Sequence, residues 1–353
     1  MPILSKLSKY VDEAYRMGHF PSLQQLRSAR KIYAYYGFLG DRNYGDELVF
    51  EAAQHLFAPD LVIPIRRTMP LHVALVAKNK SRFSGVIIGG GTLVGPGFYS
   101  QPFFEDMLDL GKPVFMHGTG IKKQNIWHNT WKRLIKGRIF GGVRGPKSIE
   151  NMAGFKDDAI AVGDAAFAMF HRVSVPADRQ TQKTILINCG AHDGFDGVEE
   201  SRSGIEGFVA KALNDGYTVQ FMPCHKFDVE LALDIQKRLP AVELLPVPKL
   251  YSEALAYFRN ATFAVGERLH FTAMGMLTGC PFLSINYSAK HEDLLSSVGL
   301  SAVGIAPIHV SAQAIQAAFD RRASFDWETV FAGLEAFQQI QRRERDSFRA
   351  AAN

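Results

Sequence analysis

Ala261-Thr262-Phe263-Ala264-Val265-Gly266-Glu267-Arg268-Leu269-His270 is the stretch that decides how this chain folds. Its first five residues are apolar or β-branched and read as a buried strand. The run from Phe271 to Leu277, Phe-Thr-Ala-Met-Gly-Met-Leu, continues as a helix of small and apolar residues. Glu267, Arg268 and His270 therefore fall at a strand-to-helix turn. In open α/β sheets, ligands bind at that edge, outside the carboxyl ends of the strands. An arginine offers a fixed fork to a carboxylate or a phosphate. An unperturbed imidazole, two residues on, moves protons near neutral pH. A second strand, Pro281 to Ile285, brings Lys290 to the same edge. Three cationic or protonatable groups there suit a small, multiply charged anion. The competing reading makes Glu267 and Arg268 a surface ion pair and His270 an ordinary helix-start histidine.

Working outward, the same alternation runs through both halves of the chain. Ile32 to Tyr36 is a strand, followed by a Gly-rich loop from Gly37 to Asp46 and an amphipathic helix from about Glu47 to Phe57. Backbone amides at such a helix start suit an anion or a polar sugar. Asn43 and Asp46 make the loop more specific than its glycines do, although Asp46 also reads as a plain helix cap. Gly85 to Ile88 runs into Gly89-Gly90-Gly91-Thr92, which implies close approach of a ligand or another chain segment. Strands ending at His117 and at Val143-Arg144 repeat the theme, with Ser148 at the next helix start. Ile160 to Ala166 closes the half.

Val173 to Lys183 has loop composition and reads as a linker. Thr184 to Gly190 restarts the pattern, and Ala191 to Ser203, with Asp193, Asp196, Glu199 and Glu200, reads as a solvated acidic loop before a helix from about Ile205. His117, His192, His225 and His291 are scattered and need no role; the alternative, since His225 and His291 sit near strand ends, is that they line the cleft. The expected organisation is an N-terminal helical extension (1–30), a Rossmann-like domain (31–172), the linker (173–183), a second Rossmann-like domain (184–322) and a long helix (323–353) that crosses back to the first. The expected fold class is thus α/β, with two Rossmann-like domains facing a central cleft.

Composition narrows the function. The 353 residues carry 40 Lys and Arg against 35 Asp and Glu, a formal charge of +5, with 47% hydrophobic residues. This fits an anionic small substrate and is too diffuse for nucleic acid. Cys189, Cys224 and Cys280 are far apart and form neither a metal spacing nor a disulfide framework. No apolar run is long enough to span a bilayer, and the N-terminus lacks a signal peptide's apolar core. The expectation is a cytoplasmic protein without a metal. Residues 2–17 place Ile3, Leu4, Leu7, Tyr10, Val11, Ala14 and Tyr15 on one helical face. That face fits packing on the body or on a partner subunit, or contact with a membrane surface.

The ordered set Gly40 to Asp46, Gly89-Gly90-Gly91, Val143-Arg144 with Ser148, Val162-Gly163-Asp164, Gly266 to His270 and Tyr287 to Lys290 resembles the polysaccharide pyruvyltransferase family. The resemblance spans about residues 32–295. It implies a GT-B-like glycosyltransferase architecture with the site in the cleft, and transfer of the enolpyruvyl unit of phosphoenolpyruvate onto a sugar to form a pyruvate ketal. It further implies donor contacts at Arg144, Arg268, His270 and Lys290, with His270 and Arg144 as the catalytic candidates. Asn43, Gly45, Asp46, Gly90, Gly91 and Thr92 would face the acceptor, which makes the first domain the acceptor side and the second the donor side. The acceptor is expected to be a lipid-linked or nucleotide-linked precursor of a surface polysaccharide. Phosphoenolpyruvate is then a substrate, and no cofactor is required. Nucleic acid is not an expected partner. Peripheral contact with the inner face of the membrane and a homo-oligomer are compatible with this reading.

Three rivals share parts of the pattern. A nucleotide-sugar glycosyltransferase would share the glycines and the basic second half, but no residue set reads a uracil or ribose. A dinucleotide dehydrogenase would need a Gly-x-Gly-x-x-Gly loop, which Gly37, Gly40 and Gly45 do not make. A non-catalytic carbohydrate-binding subunit has no physical need for Arg268, His270 and Lys290 together.

Overall fold

A computed structural model describes residues 23–39, 42–65, 80–94, 102–122, 129–137, 139–153, 156–172, 175, 179–190 and 195–352. The helix expected over 2–17, most of 173–178, Gly40, Asp41, His192 and Asp193 lie outside them. Contacts divide the chain into two units. One holds residues up to Asp41, Val49–Ala168 and Ala336 onward; the other holds Arg42–Leu48 and Met169–Glu335.

The first unit is built from α1 (Leu23–Ser28), β1 (Ile32–Tyr36), α2 (Tyr44–Phe57, its part from Val49 on), β2 (Leu61–Pro64), β3 (Gly85–Ile88), α3 (Pro102–Asp109), β4 (Val114–Thr119), α4 (Asn129–Lys136), β5 (Ile139–Val143) and α5 (Pro146–Met152). Its sheet runs β2-β1-β3-β4-β5, all parallel. Strand order reverses between β1 and β3, so the loops after these strands flank a crevice. All five residues of β1 and all four of β3 are buried, as expected of strands covered on both faces.

The second unit contains β6 (Thr184–Asn188), α6 (Val198–Asn214), β7 (Thr218–Phe221), α7 (Asp228–Arg238), β8 (Glu243–Leu244), α8 (Tyr251–Arg259), β9 (Ala261–Gly266), α9 (Leu269–Thr278), β10 (Phe282–Ile285), α10 (Ala289–Ser297), β11 (Gly304–Ile305) and α11 (Ala312–Asp320). Its parallel sheet runs β11-β10-β9-β6-β7-β8. Numbered from its own first strand, this is the doubly wound dinucleotide-type order, with its switch point between β6 and β9. The stretch from Ala261 to His270 therefore lies on one lip of that crevice. Each sheet has its own apolar core, with Ala34, Val86 and Met116 in the first and Ile187, Val265 and Phe208 in the second.

The acidic stretch departs from its sequence reading. Helix α6 begins at Val198, seven residues earlier than expected. Glu199 and Glu200 lie in its first turn, where carboxylates complement the positive end of the helix. Gly197, with φ of 85°, turns the chain into it, against the backbone of Ile308.

The long helix α12 (Trp327–Ala351) closes the chain. Its second half belongs to the first unit. There Gln338 donates to the Ala168 carbonyl, and Gln341 donates to the carbonyls of Val162 and Asp164. Phe348 completes a ring cluster with Tyr33, Phe57, Phe115 and Phe140. No helix among the described residues is long and apolar enough to cross a membrane.

Candidate active site

In the second unit, Asn188 stitches the switch point together. As the last residue of β6, it donates to the Met222 carbonyl at 2.9 Å and accepts from the Arg268 amide at 3.0 Å. Its own carbonyl accepts from the Glu267 amide. Glu267 is fully buried. Its carboxylate accepts from the Gly190 amide at 2.6 Å and from the Ser201 hydroxyl at 2.5 Å. Burial raises its pKa, and those two donors only partly oppose the shift. The carbonyl of Glu267 accepts from His291 Nε2 at 2.8 Å. His291, given no role by the sequence reading, thus braces the turn.

The turn holds Arg268 extended, at φ −80° and ψ 131°, as the cap of α9. Its guanidinium is met side-on by Asp228, with Nε 3.1 Å from Oδ2 and Nη2 bonded to Oδ1. Burial works against the arginine's charge, but the Asp228 bond and charge outweigh it, and the pKa is raised. The surface ion pair considered from sequence is replaced by two separate buried arrangements: Glu267 with Ser201 and Gly190, and Arg268 with Asp228.

Tyr287 stands beside Arg268. Burial pushes its phenol up to about 12, with Arg268 partly offsetting this. The ring stacks on Phe195 at 5.2 Å between centroids, and Lys290 Nζ lies 4.9 Å from its centre. Lys290 is in the first turn of α10, and its ammonium lies over that ring.

Residues Arg42–Leu48, which follow β1 in the chain, belong to this unit. Asn43 forms an antiparallel bridge with His225. The Tyr44 amide donates to the Cys224 carbonyl at 2.7 Å, and the Lys226 amide donates to that of Arg42. The Asn43 side chain accepts from the Gly45 amide at 3.2 Å, so Asn43 caps α2. Asp46, a possible cap from sequence, lies within the first turn instead. A Cβ on Gly45 would lie 2.1 Å from His270 Nδ1.

The first unit gathers a second cluster at the carboxyl edge of its sheet. Arg144 follows β5 and is 1% exposed. Its Nε donates to Asp164 Oδ2 at 2.8 Å, while its buried Nη2 makes no hydrogen bond among the described residues. Its Nη1 and Thr92 Oγ1 each lie 2.9 Å from where a Cβ on Gly120 would stand, with the Gly91 carbonyl at 3.2 Å. Arg144, Gly91 and Thr92 are thereby one group. The three glycines differ in what they accommodate. Gly89 makes room for the Tyr35 hydroxyl and Gly90 for Val49, so both yield to other chain segments. Gly91, at φ of 87°, has nothing among the described residues within 4 Å of where its Cβ would stand. Ser148 is buried and accepts from the Ile121 amide, a bond that holds the neighbouring loop.

Sequence reasoning missed Asn188, Asp228 and Gly120. A polar residue ending the buried run Thr184-Ile185-Leu186-Ile187 was a signal for Asn188. Asp228 gave none, because an aspartate at a helix start reads as an ordinary cap. Among the described residues no group of His, Cys, Asp and Glu is arranged to hold a metal.

The family model for polysaccharide pyruvyl transferase matches residues 43–289, well over half of the chain. Solved structures with a similar fold include UDP-GlcNAc 2-epimerases. The Neisseria meningitidis enzyme bound to UDP-GlcNAc is 12% identical with a TM-score of 0.54, covering 85% of this chain and 94% of that one. The Methanocaldococcus jannaschii enzyme in complex with UDP-GlcNAc and UDP is 11% identical with a TM-score of 0.52, covering 84% and 94%. At such identity the likeness is one of fold, that of two Rossmann-like α/β units of GT-B type. No curated protein matches the chain.

Proposed function

The chain belongs to the polysaccharide pyruvyl transferase family, and on that premise we propose that it moves the enolpyruvyl unit of phosphoenolpyruvate onto a sugar and closes a pyruvate ketal. The observation that carries the reading is the turn at the second switch point, where Arg268 and His270 share one strand end and Lys290 lies over the Tyr287 ring. A donor with a carboxylate and a phosphate needs such fixed cations.

In this mechanism the donor methylene takes a proton, which leaves an oxocarbenium-like centre at the carbon that bears the phosphate. One acceptor hydroxyl adds there and gives up its proton. A second hydroxyl then displaces phosphate and closes the ketal, so one diol and one phosphoenolpyruvate yield one ketal and one phosphate. His270 is the acid or base for these transfers. Arg268 and Lys290 hold the donor's anionic groups, and Arg144, whose Nη2 makes no hydrogen bond among the described residues, stabilises developing negative charge. The acceptor contacts proposed are Asn43, Gly45, Asp46, Gly90, Gly91 and Thr92. Of these, Asn43 and Gly45 stand with His270, while Gly91 and Thr92 stand with Arg144.

The test is calorimetric titration of the purified protein with phosphoenolpyruvate, using a nucleotide-sugar as comparator. Saturable phosphoenolpyruvate binding that falls in Arg268→Lys is the expected result. Binding of the nucleotide-sugar alone overturns the reading in favour of a glycosyltransferase. Binding of neither, with glycan binding retained, overturns it in favour of a carbohydrate-binding subunit.

A further inference from the structure

We infer that Asp228 is a positioning residue for the donor site, acting through Arg268. The inference rests on the reading of Arg268 as a donor-binding group. Asp228 is the first residue of the eleven-residue helix α7, and its side chain is fully buried. One carboxylate accepts four bonds. Oδ2 takes the Cys224 amide at 3.1 Å, the His225 amide at 3.0 Å and Arg268 Nε at 3.1 Å, and Oδ1 takes Arg268 Nη2.

The carboxylate therefore joins two elements. It fixes the loop after β7, to which the Asn43 and Tyr44 backbone is bonded, and it fixes the arginine that caps α9. The side-on pairing engages the Nε/Nη2 edge of the guanidinium. A planar group held along one edge has its orientation fixed.

Charge alone argues against this placement. A carboxylate beside an anion-binding arginine weakens anion binding through Coulomb's law. If Asp228 acted only through charge, its removal would tighten the donor. If it only stapled the loop, its removal would leave the donor affinity of folded protein unchanged. Orientation is the one role whose loss weakens the donor. The three cases differ in sign, and Asp228→Asn separates them. The amide oxygen of an asparagine in the place of Oδ2 can still accept from Cys224, His225 and Arg268 Nε, whereas its NH2 group meets Arg268 Nη2 donor to donor.

The experiment compares phosphoenolpyruvate binding to the full-length wild type and to Asp228→Asn by calorimetry, with melting curves as the control for folding. A 15N spectrum also follows the Arg268 Nε–H, assigned by its absence in Arg268→Lys. Donor affinity is expected to fall at least ~10-fold in Asp228→Asn despite the added positive charge. The Nε–H signal, slow to exchange in the wild type, is expected to shift and to exchange faster, because the neighbouring Nη2 loses its acceptor. Equal or tighter binding by a folded Asp228→Asn overturns the positioning role, as does an unchanged Nε–H signal. Wild-type protein that binds no phosphoenolpyruvate overturns the donor reading itself and is told apart by that absence.

Discussion

The imidazole of His270 occupies the space that a side chain at position 45 would need; a Cβ on Gly45 would lie 2.1 Å from its Nδ1. The contact links the first turn of α2 to the residue proposed for proton transfer, and it supplies a reason for glycine at a helical position where alanine is intrinsically favoured. Gly45→Ala is expected to displace the ring and lower turnover at least ~10-fold, because small misplacements of a catalytic group are costly. Melting temperature should change little. Turnover equal to the wild type would show that the ring moves aside without consequence.

His270→Ala keeps the donor clamp and removes the proton carrier. Turnover is expected to fall ~10²–10⁴-fold while phosphoenolpyruvate affinity stays within a few fold. Unchanged turnover would remove His270 from the mechanism.

Arg268 tolerates charge removal poorly, because Asp228 beneath it is fully buried. Arg268→Ala is expected to cost about 3–5 kcal/mol of stability by leaving that carboxylate unpaired. Arg268→Lys keeps the charge without the fork, so its melting temperature should lie nearer the wild type while donor affinity still drops. Denaturant titrations of the two variants check this, and equal stability would mean that Asp228 has another counter-charge.

His117 makes stability fall in acid. It is fully buried in the first unit, and burial lowers its pKa from 6.5 to about 4, against weaker opposing effects of Gln341 and Asp164. Between those values the unfolded chain binds the proton that the folded chain refuses. The contribution is therefore present above pH 6.5 and is lost as pH falls toward 4, by about 3 kcal/mol in total. His117→Gln should flatten the pH dependence of unfolding over that window. An unchanged slope would assign acid sensitivity elsewhere.

Phe348 fills the ring cluster on the first sheet and lies where a Cβ on Gly85 would be, 2.6 Å away. Phe348→Ala is expected to destabilise the protein by about 3–5 kcal/mol. A loss under about 1 kcal/mol, measured by urea unfolding, would mean that the C-terminal helix contributes little to the first unit.

What the sequence determined by itself was local and periodic. Strands buried on both faces are continuous apolar runs, so Ile32 to Tyr36, Thr184 to Gly190 and Ala261 to Val265 were visible as such, and their alternation with helices implied two parallel sheets. Charged residues at strand ends mark the carboxyl edge of such sheets, which is why Arg144, Arg268, His270 and Lys290 could be singled out. The start of α6 was hidden because Glu199, Glu200 and Ser203 are polar whether they lie in a loop or in a helix's first turn. Only the tertiary structure decided which groups meet. Asp228 is 40 residues from Arg268, and Gly45 is 225 from His270, with no periodicity to relate them. Strand order set these meetings. The reversal between β6 and β9 opens the crevice at Arg268, and the pairing of β6 with β7 brings the Cys224–Asp228 loop alongside it. A side chain's neighbours within a turn follow from chain geometry, but its neighbours across a sheet follow from the order in which the strands pack. That order is settled by burial of both apolar faces at once, a property of the whole unit.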